Sequence, residues 1–204
     1  VGLDNVVSYI ARENESAFMV GCLAALLQKE NNTLLNSDKN AVGIVGAIDA
    51  EVVNKHIAGY SCGAKYIDPE IEVVYDYAGD FSDTAASQAI AEIMNQNGVD
   101  VIYNAAAASG LGIFKAAEDR GFMAIGLDSN QNPLHPELIV ASSLKKVDEF
   151  VYGAINDVIN NNFQGGNTFS LGLKEKGVGY TFDGSNIAVS EEIKTILKDI
   201  EAKI

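Results

Sequence analysis

The sequence predicts an α/β fold built on a doubly wound parallel sheet. Short apolar runs rich in β-branched residues alternate with segments of helical periodicity, which is the pattern of parallel strands joined by helical crossovers. The composition is that of a folded chain, since 48% of the 204 residues are hydrophobic and 21% are charged, with a mean hydropathy of +0.07. The length suits one large domain or two small ones.

Five predicted strands form the central unit, which spans residues 41–142. They are Val42–Val45, Ile71–Tyr75, Val99–Tyr103, Met123–Leu127 and Leu138–Ala141. The helices predicted between them are Glu51–Lys65, Asp83–Asn95 and Gly110–Arg120. Asp83 can cap the second of these helices, and Gly98 lies where a left-handed helix terminator is favoured. Right-handed crossovers between such strands produce a doubly wound sheet.

The flanking segments contain only pieces of a second sheet. The predicted elements before the central unit are a strand at Val6–Ala11 and an apolar helix at Glu15–Gln28. Those after it are a helix at Lys146–Asn160, short strands at Thr168–Leu171 and Val178–Phe182, and a helix from Ser190. Because a lone pair of strands is only marginally stable in water, we expect these pieces to belong to a sheet whose other strands are absent.

The charge of the chain argues against two classes of partner. With 14 Lys and Arg against 28 Asp and Glu, the formal net charge is −14. Phosphate backbones are bound by clustered basic side chains, so no nucleic acid is expected as a partner. A basic surface helix for anionic lipid is disfavoured for the same reason. No apolar run reaches the roughly 18 residues that span a bilayer.

No cofactor or metal is predicted. Cys22 and Cys62 lie in apolar helical stretches and are expected to be small buried side chains. His56 and His135 share no ligand spacing with the cysteines or with clustered acids. The glycine-containing segment Gly110–Phe114 lacks the third glycine of the dinucleotide fingerprint and the lysine of a Walker loop.

The carboxyl ends of the predicted strands form the expected ligand-binding edge. The segments that follow the strands are Ala47–Ala50, Asp76–Asp83, Asn104–Gly110, Asp128–Asn132 and Ser142–Lys146. They contribute the aromatic Phe81, small residues at Ala105–Gly110, the acid Asp128 and the base Lys145. A flat ring could stack on Phe81 while Asp128 accepts hydrogen bonds from vicinal hydroxyls. Base stacking on an aromatic side chain contributes about 1–3 kcal/mol.

Each of these residues also has a purely structural interpretation. Phe81 could staple the helix that follows it, Asp128 could form a turn, and Lys145 could be solvated surface. The alanine run could serve tight packing between strand and helix. Because all four lie on loops of one sheet edge, a small-molecule site is favoured over four coincidences.

A serine hydrolase is the enzymatic alternative. The order Ser109, Asp128, His135 matches the chain order of the α/β-hydrolase triad. A nucleophile elbow requires Gly-x-Ser-x-Gly, however, and the residues around Ser109 are AASGL. His135 lies in a loop between Pro133 and Pro136, which is poor geometry for a catalytic base. The chain is therefore not expected to be an enzyme.

Sequence segments in a fixed order carry a resemblance over nearly the whole chain. They are RENESAFMVG, VGIVGAID, GYSCGAKYIDPEI, YAGDFSD, GVDVIYNAAAASGLGIFKAAEDRG, IGLDSNQ, SSLKKVDEFVY and LGLKEKGVGY. In these segments the chain resembles the basic membrane protein family of bacterial lipoproteins, which includes purine nucleoside receptors feeding ABC transporters.

The resemblance implies a type I periplasmic-binding-protein fold, in which two α/β lobes joined by crossing strands clamp a ligand. It places the family's aromatic contact on Phe81, its ribose-binding acid on Asp128 and its lysine on Lys145. The family's small residue in the alanine loop, usually Gly, falls on Ala107, whose methyl group could narrow the ligand slot. The implied function is that of a substrate-binding lipoprotein of an ABC transporter, which binds a purine nucleoside or a related heterocycle.

The implied partners are the small-molecule ligand and the transporter permease. The protein is expected to be a monomer on the outer face of the plasma membrane or in the periplasm, with its signal peptide removed. Its contact with the membrane would be a lipid anchor that this chain lacks. The alternative function is a ligand-sensing effector domain of a transcriptional regulator, because the same lobes serve there.

The resemblance also divides the chain into four parts. Residues 1–40 are expected to be a crossover strand and helix of the first lobe or hinge, and residues 41–142 a complete second lobe. Residues 143–182 are expected to return to first-lobe elements, and residues 183–204 to form the C-terminal helix. The family's first-lobe contacts to the base have no counterpart here, and the chain starts with Val1 rather than Met. An N-terminally truncated protein is therefore expected.

Overall fold

The computed structural model describes residues 2–30, 32–35 and 38–204. Its strands are β1 (Ser8–Ala11), β2 (Ala41–Gly46), β3 (Glu72–Tyr77), β4 (Val101–Ala105), β5 (Met123–Gly126), β6 (Ile139–Lys145), β7 (Thr168–Leu171) and β8 (Val178–Thr181). Its α-helices are α1 (Glu13–Leu27), α2 (Glu51–Ile67), α3 (Thr84–Gln96), α4 (Leu111–Arg120), α5 (Val147–Ile159) and α6 (Glu191–Glu201). Short 3-10 turns lie at Ala107–Gly110 and Asn132–Leu134.

Six strands form the main sheet in the order β3-β2-β4-β5-β6-β8. Every pair from β3 to β6 is parallel, and β8 runs antiparallel to β6. Every residue of β2, β4 and β5 is buried. Because successive side chains of a strand point to opposite faces, both faces of the sheet centre are covered. The prediction of a doubly wound parallel sheet of the type I periplasmic-binding-protein class is confirmed.

The edge strand β8 corrects one part of the predicted domain division. Residues 143–182 were expected to return to a first lobe, but β8 pairs with β6 from Ser142↔Thr181 to Lys145↔Val178. This pairing extends β6 four residues beyond the predicted strand end at Ala141 and makes Lys145 its last residue. The assignment to first-lobe elements is therefore wrong for β8 and for the second half of β6.

Helix α1 is buried on almost every side. Its apolar residues from Ala17 to Leu27 include eight side chains with at most 1% exposure, because the helix packs against α2, α6 and the strands β6 and β8. A helix that is apolar all round is a buried helix. Its backbone touches that of α2: a Cβ at Gly21 would collide with the carbonyl oxygen of Tyr60, and one at Gly63 with that of Phe18.

The two cysteines have different surroundings. Cys22 is buried in α1 and its thiol donates a hydrogen bond to the carbonyl of Gly63 at 3.3 Å. Burial raises the pKa of this thiol to about 12. Cys62 is exposed, which corrects the expectation that both are buried. The buried side of α2 includes Val53, Ile57, Tyr60 and Ala64, and Cys62 falls on the opposite side of the helix.

A second, smaller sheet consists of the parallel pair β1-β7 in the described part of the chain. Helix α5 packs on this pair, since the rings of Phe150 and Tyr9 stack at 5.8 Å and Tyr9 stacks on Phe169 at 5.9 Å. The outer side of α5 carries a stripe of exposed apolar side chains: Val147, Val151, Ile155, Val158 and Ile159, which are 50–71% exposed.

Three connections join the small sheet to the main sheet, and hydrogen bonds hold them side by side. They run from β1 to α1, from β6 to α5 and from β7 to β8. The backbone N–H of Arg12 donates to Leu171 O at 2.9 Å, and that of Lys146 donates to Gly177 O at 3.0 Å. The backbone N–H of Leu173 donates to the Glu15 carboxylate at 2.7 Å. All three connections are therefore fixed at one place.

Substituting Gly21 by Ala tests the close approach of α1 and α2. Because the new methyl group meets a carbonyl oxygen rather than a flexible side chain, we expect the free energy of unfolding to fall by about 1–3 kcal/mol. The matched control is Gly153→Ala in α5, where a Cβ meets no atom within 4 Å. That change should stabilise the protein by about 0.5–1 kcal/mol. The free energy of unfolding of both variants is measured by urea unfolding. Equal values for the two variants would contradict the close packing of α1 against α2.

Candidate functional site

The carboxyl ends of the parallel strands bring the four predicted site residues to one edge of the main sheet. Phe81 follows β3, Ala107 follows β4, Asp128 follows β5, and Lys145 ends β6. In the sheet order these strands are neighbours apart from β2, which lies between β3 and β4. Their roles in ligand binding remain predictions, whereas their common location is a property of the fold.

Hydrogen bonds join the loops that carry Phe81 and Ala107. The backbone N–H of Ser109 donates to Phe81 O at 2.9 Å, and its hydroxyl donates to Asp80 O at 2.7 Å. Asp83 caps α3 as predicted, since its carboxylate accepts from the backbone N–H of Ala86 at 2.9 Å. The Phe81 side chain is 46% exposed, which is more than a ring buried against the following helix would show. Its aromatic surface is therefore available to a ligand.

Two residues of the edge have left-handed backbone conformations. Ala107 has φ +53° and Asp128 has φ +62°. The conformation is unfavourable for a residue with a Cβ, but Asp tolerates it better than Ala because its short polar side chain can bond locally. A glycine would adopt this conformation at position 107 without the steric cost of a Cβ. At Asp128 the turn leaves the side chain exposed.

Lys145 lies between two acids. Its backbone N–H donates to Asp128 O at 2.9 Å, and its Nζ lies 2.9 Å from Glu13 Oε1. Burial alone would lower the pKa of the ammonium, but the hydrogen bond and charge of Glu13 and the charge of Asp128 outweigh it and raise the pKa. The side chain is 30% exposed, so it is an ion-paired group within reach of solvent rather than a solvated surface lysine.

Glu13 is the group at this edge that sequence reasoning missed. It lies in the first turn of α1 and is only 5% exposed. The one available signal is an acid at the start of a helix that is otherwise almost wholly apolar. That signal does not reveal the partner, because Lys145 lies at the other end of the central unit.

A buried hydrogen-bonded chain lies among these charged groups. His56 Nδ1 lies 2.9 Å from the Tyr103 hydroxyl, which lies 2.8 Å from Ser143 Oγ. Ser143 donates to Gly126 O at 3.3 Å. Burial lowers the pKa of His56, against the opposing charges of Asp128 and Glu13, so the imidazole is neutral at pH 7. His56 is therefore a buried residue held by its hydrogen bond to Tyr103.

The geometry does not support the hydrolase alternative. The Ser109 hydroxyl is buried and donates to the carbonyl of Asp80. The His135 ring packs beside Phe114 at a centroid distance of 6.4 Å. Neither contact is that of a nucleophile with its general base.

Within residues 2–30, 32–35 and 38–204, no group of three or more His, Cys, Asp or Glu residues is placed to hold a metal ion. No helix in those ranges has both the length and the apolar character needed to cross a bilayer.

The mostly parallel sheet, with its loops gathered at one edge, is that of the type I periplasmic-binding-protein class. Residues 2–204 match the model of the Bmp family, described as ABC transporter substrate-binding protein PnrA-like. The chain belongs to this family.

Individual relatives agree with this assignment. The chain is 32% identical over 202 residues to basic membrane protein D of Borreliella burgdorferi (strain JD1), a match covering 98% of this chain and 54% of the relative. Basic membrane protein B of Borrelia garinii subsp. bavariensis is also 32% identical, over 96% of this chain and 55% of the relative. The chain therefore spans about half the length of the curated relatives that it matches.

Solved structures show the same fold. An ABC transporter solute-binding protein from Aeropyrum pernix K1 superposes with a TM-score of 0.75 and 31% identity, over 100% of this chain and 61% of that one. A transcriptional activator of the comK gene from Bacillus halodurans gives a TM-score of 0.84 at 22% identity, over 100% of this chain and 66% of that one. The second likeness concerns the fold alone.

The neutral His56 makes stability depend on pH in a defined direction. Its pKa in the folded state lies below the value of about 6.5 for the unfolded chain. The unfolded chain therefore binds more protons below that pH, and the free energy of unfolding falls as the pH drops from about 6.5 towards the folded-state pKa. His56→Gln keeps a polar side chain beside Tyr103 and should flatten this dependence in urea titrations. An unchanged slope would assign the acid sensitivity to another group.

Proposed function

We propose that the protein is the ligand-binding component of an ABC transporter and that it binds a purine nucleoside or a related heterocycle. The observation that carries the proposal is the edge with an exposed aromatic ring at Phe81, an exposed carboxylate at Asp128 and an ion-paired ammonium at Lys145. A purine can stack on the ring. Ribose hydroxyls can donate to the carboxylate and accept from the ammonium.

The ligand would be held between this lobe and a second one. Parallel sheets are normally covered on both faces, and an isolated pair of strands is marginal in water. The pair β1-β7 and the exposed apolar stripe of α5 therefore support a first lobe that packs on them. Strand β1 would supply a crossover strand to this lobe and the three connections between the sheets would supply the hinge, whereas α1 packs on the main sheet; this agrees with the share of its relatives that the chain spans.

The remaining parts of the proposal follow from family membership. The partner would be the permease of the transporter, and the protein would act as a monomer. It would lie outside the cytoplasm, at the outer face of the plasma membrane or in the periplasm, as a lipoprotein whose signal peptide has been removed. Neither catalysis nor a cofactor enters the proposed function.

A regulatory effector domain is the competing function, since the fold also occurs in the transcriptional activator from Bacillus halodurans. Membership in a family of transporter proteins favours transport. The reading frame upstream of Val1 separates the two functions. A lipid-attachment cysteine after a signal peptide supports transport, whereas a DNA-binding helix pair supports regulation.

Thermal-shift measurements on the protein expressed from its complete reading frame test the ligand class. We expect adenosine, guanosine or inosine to raise the melting temperature, because a ligand that binds only the folded state stabilises it. Ribose, glucose and a set of amino acids serve as the comparison. A shift with sugars or amino acids and none with any nucleoside would refute the purine proposal.

Two variants test the roles of the edge residues. Phe81→Leu keeps an apolar side chain but removes the aromatic face, so nucleoside affinity should fall about 5- to 150-fold, corresponding to about 1–3 kcal/mol of stacking. Asp128→Asn tolerates the left-handed backbone and removes the charge, with an expected loss of about 10- to 100-fold. Both are measured by isothermal titration calorimetry. Asp119→Asn on α4, which removes an acid paired with Lys115, is the matched control; losses no larger than in this control would place the ligand elsewhere.

A further inference from the structure

Glu13 is the buried member of a cluster of three charges at the ligand edge. Its Oε1 lies 2.9 Å from Lys145 Nζ, and Lys145 is in turn attached through its backbone to Asp128. The second oxygen of Glu13, Oε2, is buried and has no hydrogen-bond partner in the part of the chain that the structure describes.

An ionised carboxylate with an unpaired buried oxygen destabilises a fold. Stability alone would favour an apolar side chain at the start of a helix as buried as α1. This destabilisation has a reason if the carboxylate orients a neighbouring group. The neighbour here is the Lys145 ammonium, which is predicted to contact the ligand. Perturbed ionisable groups concentrate at such functional sites.

The pair also sets the charge of the edge. Glu13 and Asp128 contribute two negative charges and Lys145 one positive charge, while His56 and Tyr103 are neutral because they are buried. The net charge is therefore −1. A site of this charge accepts neutral hydroxyl groups, but it repels a phosphate group that an uncompensated lysine would attract.

We propose that Glu13 is a positioning and specificity-determining residue, which holds the Lys145 ammonium at the ligand edge and makes the site select neutral ligands over their phosphorylated forms. The inference rests on the proposed function, because it takes a nucleoside as the neutral ligand. Glu13 acts through Lys145 rather than as a contact to the ligand's base.

The first test uses Glu13→Gln in the protein expressed from its complete reading frame. Affinities for adenosine, guanosine and inosine and for their 5′-monophosphates are measured by calorimetry. Loss of a charged hydrogen bond predicts about 10-fold weaker nucleoside binding. Because the edge then loses its negative excess, we expect the preference for nucleoside over monophosphate to fall at least about 10-fold as well. Glu13→Asp, which keeps the charge, should restore most of the preference.

A double-mutant cycle distinguishes positioning from a general structural effect. In a Lys145→Met background the Glu13→Gln change should alter nucleoside affinity less than about twofold, because two residues that act as one unit are not additive. The matched control is Glu118→Gln, which removes an acid 3.0 Å from Lys115 on the exposed side of α4. It should leave the preference unchanged. Equal losses for nucleoside and monophosphate in Glu13→Gln would overturn the proposal.

A measurement without ligand separates this proposal from the choice of ligand. The pKa of Lys145, followed by NMR of its side-chain nitrogen, should fall in Glu13→Gln because the raising partner is gone. An unchanged pKa in a folded variant would refute the positioning role. If the wild type binds no nucleoside but the Lys145 pKa still falls, the purine proposal fails while the coupling of Glu13 to Lys145 stands.

Discussion

Parallel pairing of the strands from β3 to β6 is the constraint on which the rest of the structure depends. It buries both faces of the sheet centre, so β2, β4 and β5 consist of apolar or hydrogen-bonded residues throughout. It also turns every carboxyl end to the same edge, which gathers side chains from distant parts of the sequence without any special loop. Among the polar side chains buried within the sheet, Tyr103 is hydrogen-bonded to both Ser143 and His56, so that this part of the core is neutral below the charged edge.

The same constraint explains what could be predicted from the sequence. The order of strands and helices follows from local periodicity, and the position of Phe81 and Asp128 follows from the rule that loops meet at the carboxyl ends. Local periodicity does not predict which distant segments of the chain pair with each other. The edge strand β8 has an ordinary short strand pattern, and only its hydrogen bonds with Ser142–Lys145 reveal which sheet it joins. The place of Glu13 at this edge was not predicted for the same reason, because an ion pair with a residue far along the chain leaves no local pattern.

Outside the main sheet, local sequence patterns predict the strands β1 and β7 and the helix α5. They do not explain why the outer side of α5 is apolar and exposed. A surface stripe of this kind signals an interface. The connections from these elements to the main sheet are tightly hydrogen-bonded around Arg12 and Lys146, so the small sheet is held to the main sheet at one place. Such an arrangement suits a hinge, in which few residues absorb a movement between two bodies.

The Glu13–Lys145 ion pair joins the proposed hinge to the proposed ligand edge. Glu13 follows the connection from β1, and Lys145 precedes the connection to α5, so their ion pair joins two of the three connecting segments. In the proposed two-lobe protein, a ligand that binds the Lys145 ammonium would therefore contact a group that is also part of the proposed hinge. Because a ligand shifts a conformational equilibrium only through different contacts in the two states, ligand contact with Lys145 would then favour one arrangement of the two proposed lobes over another.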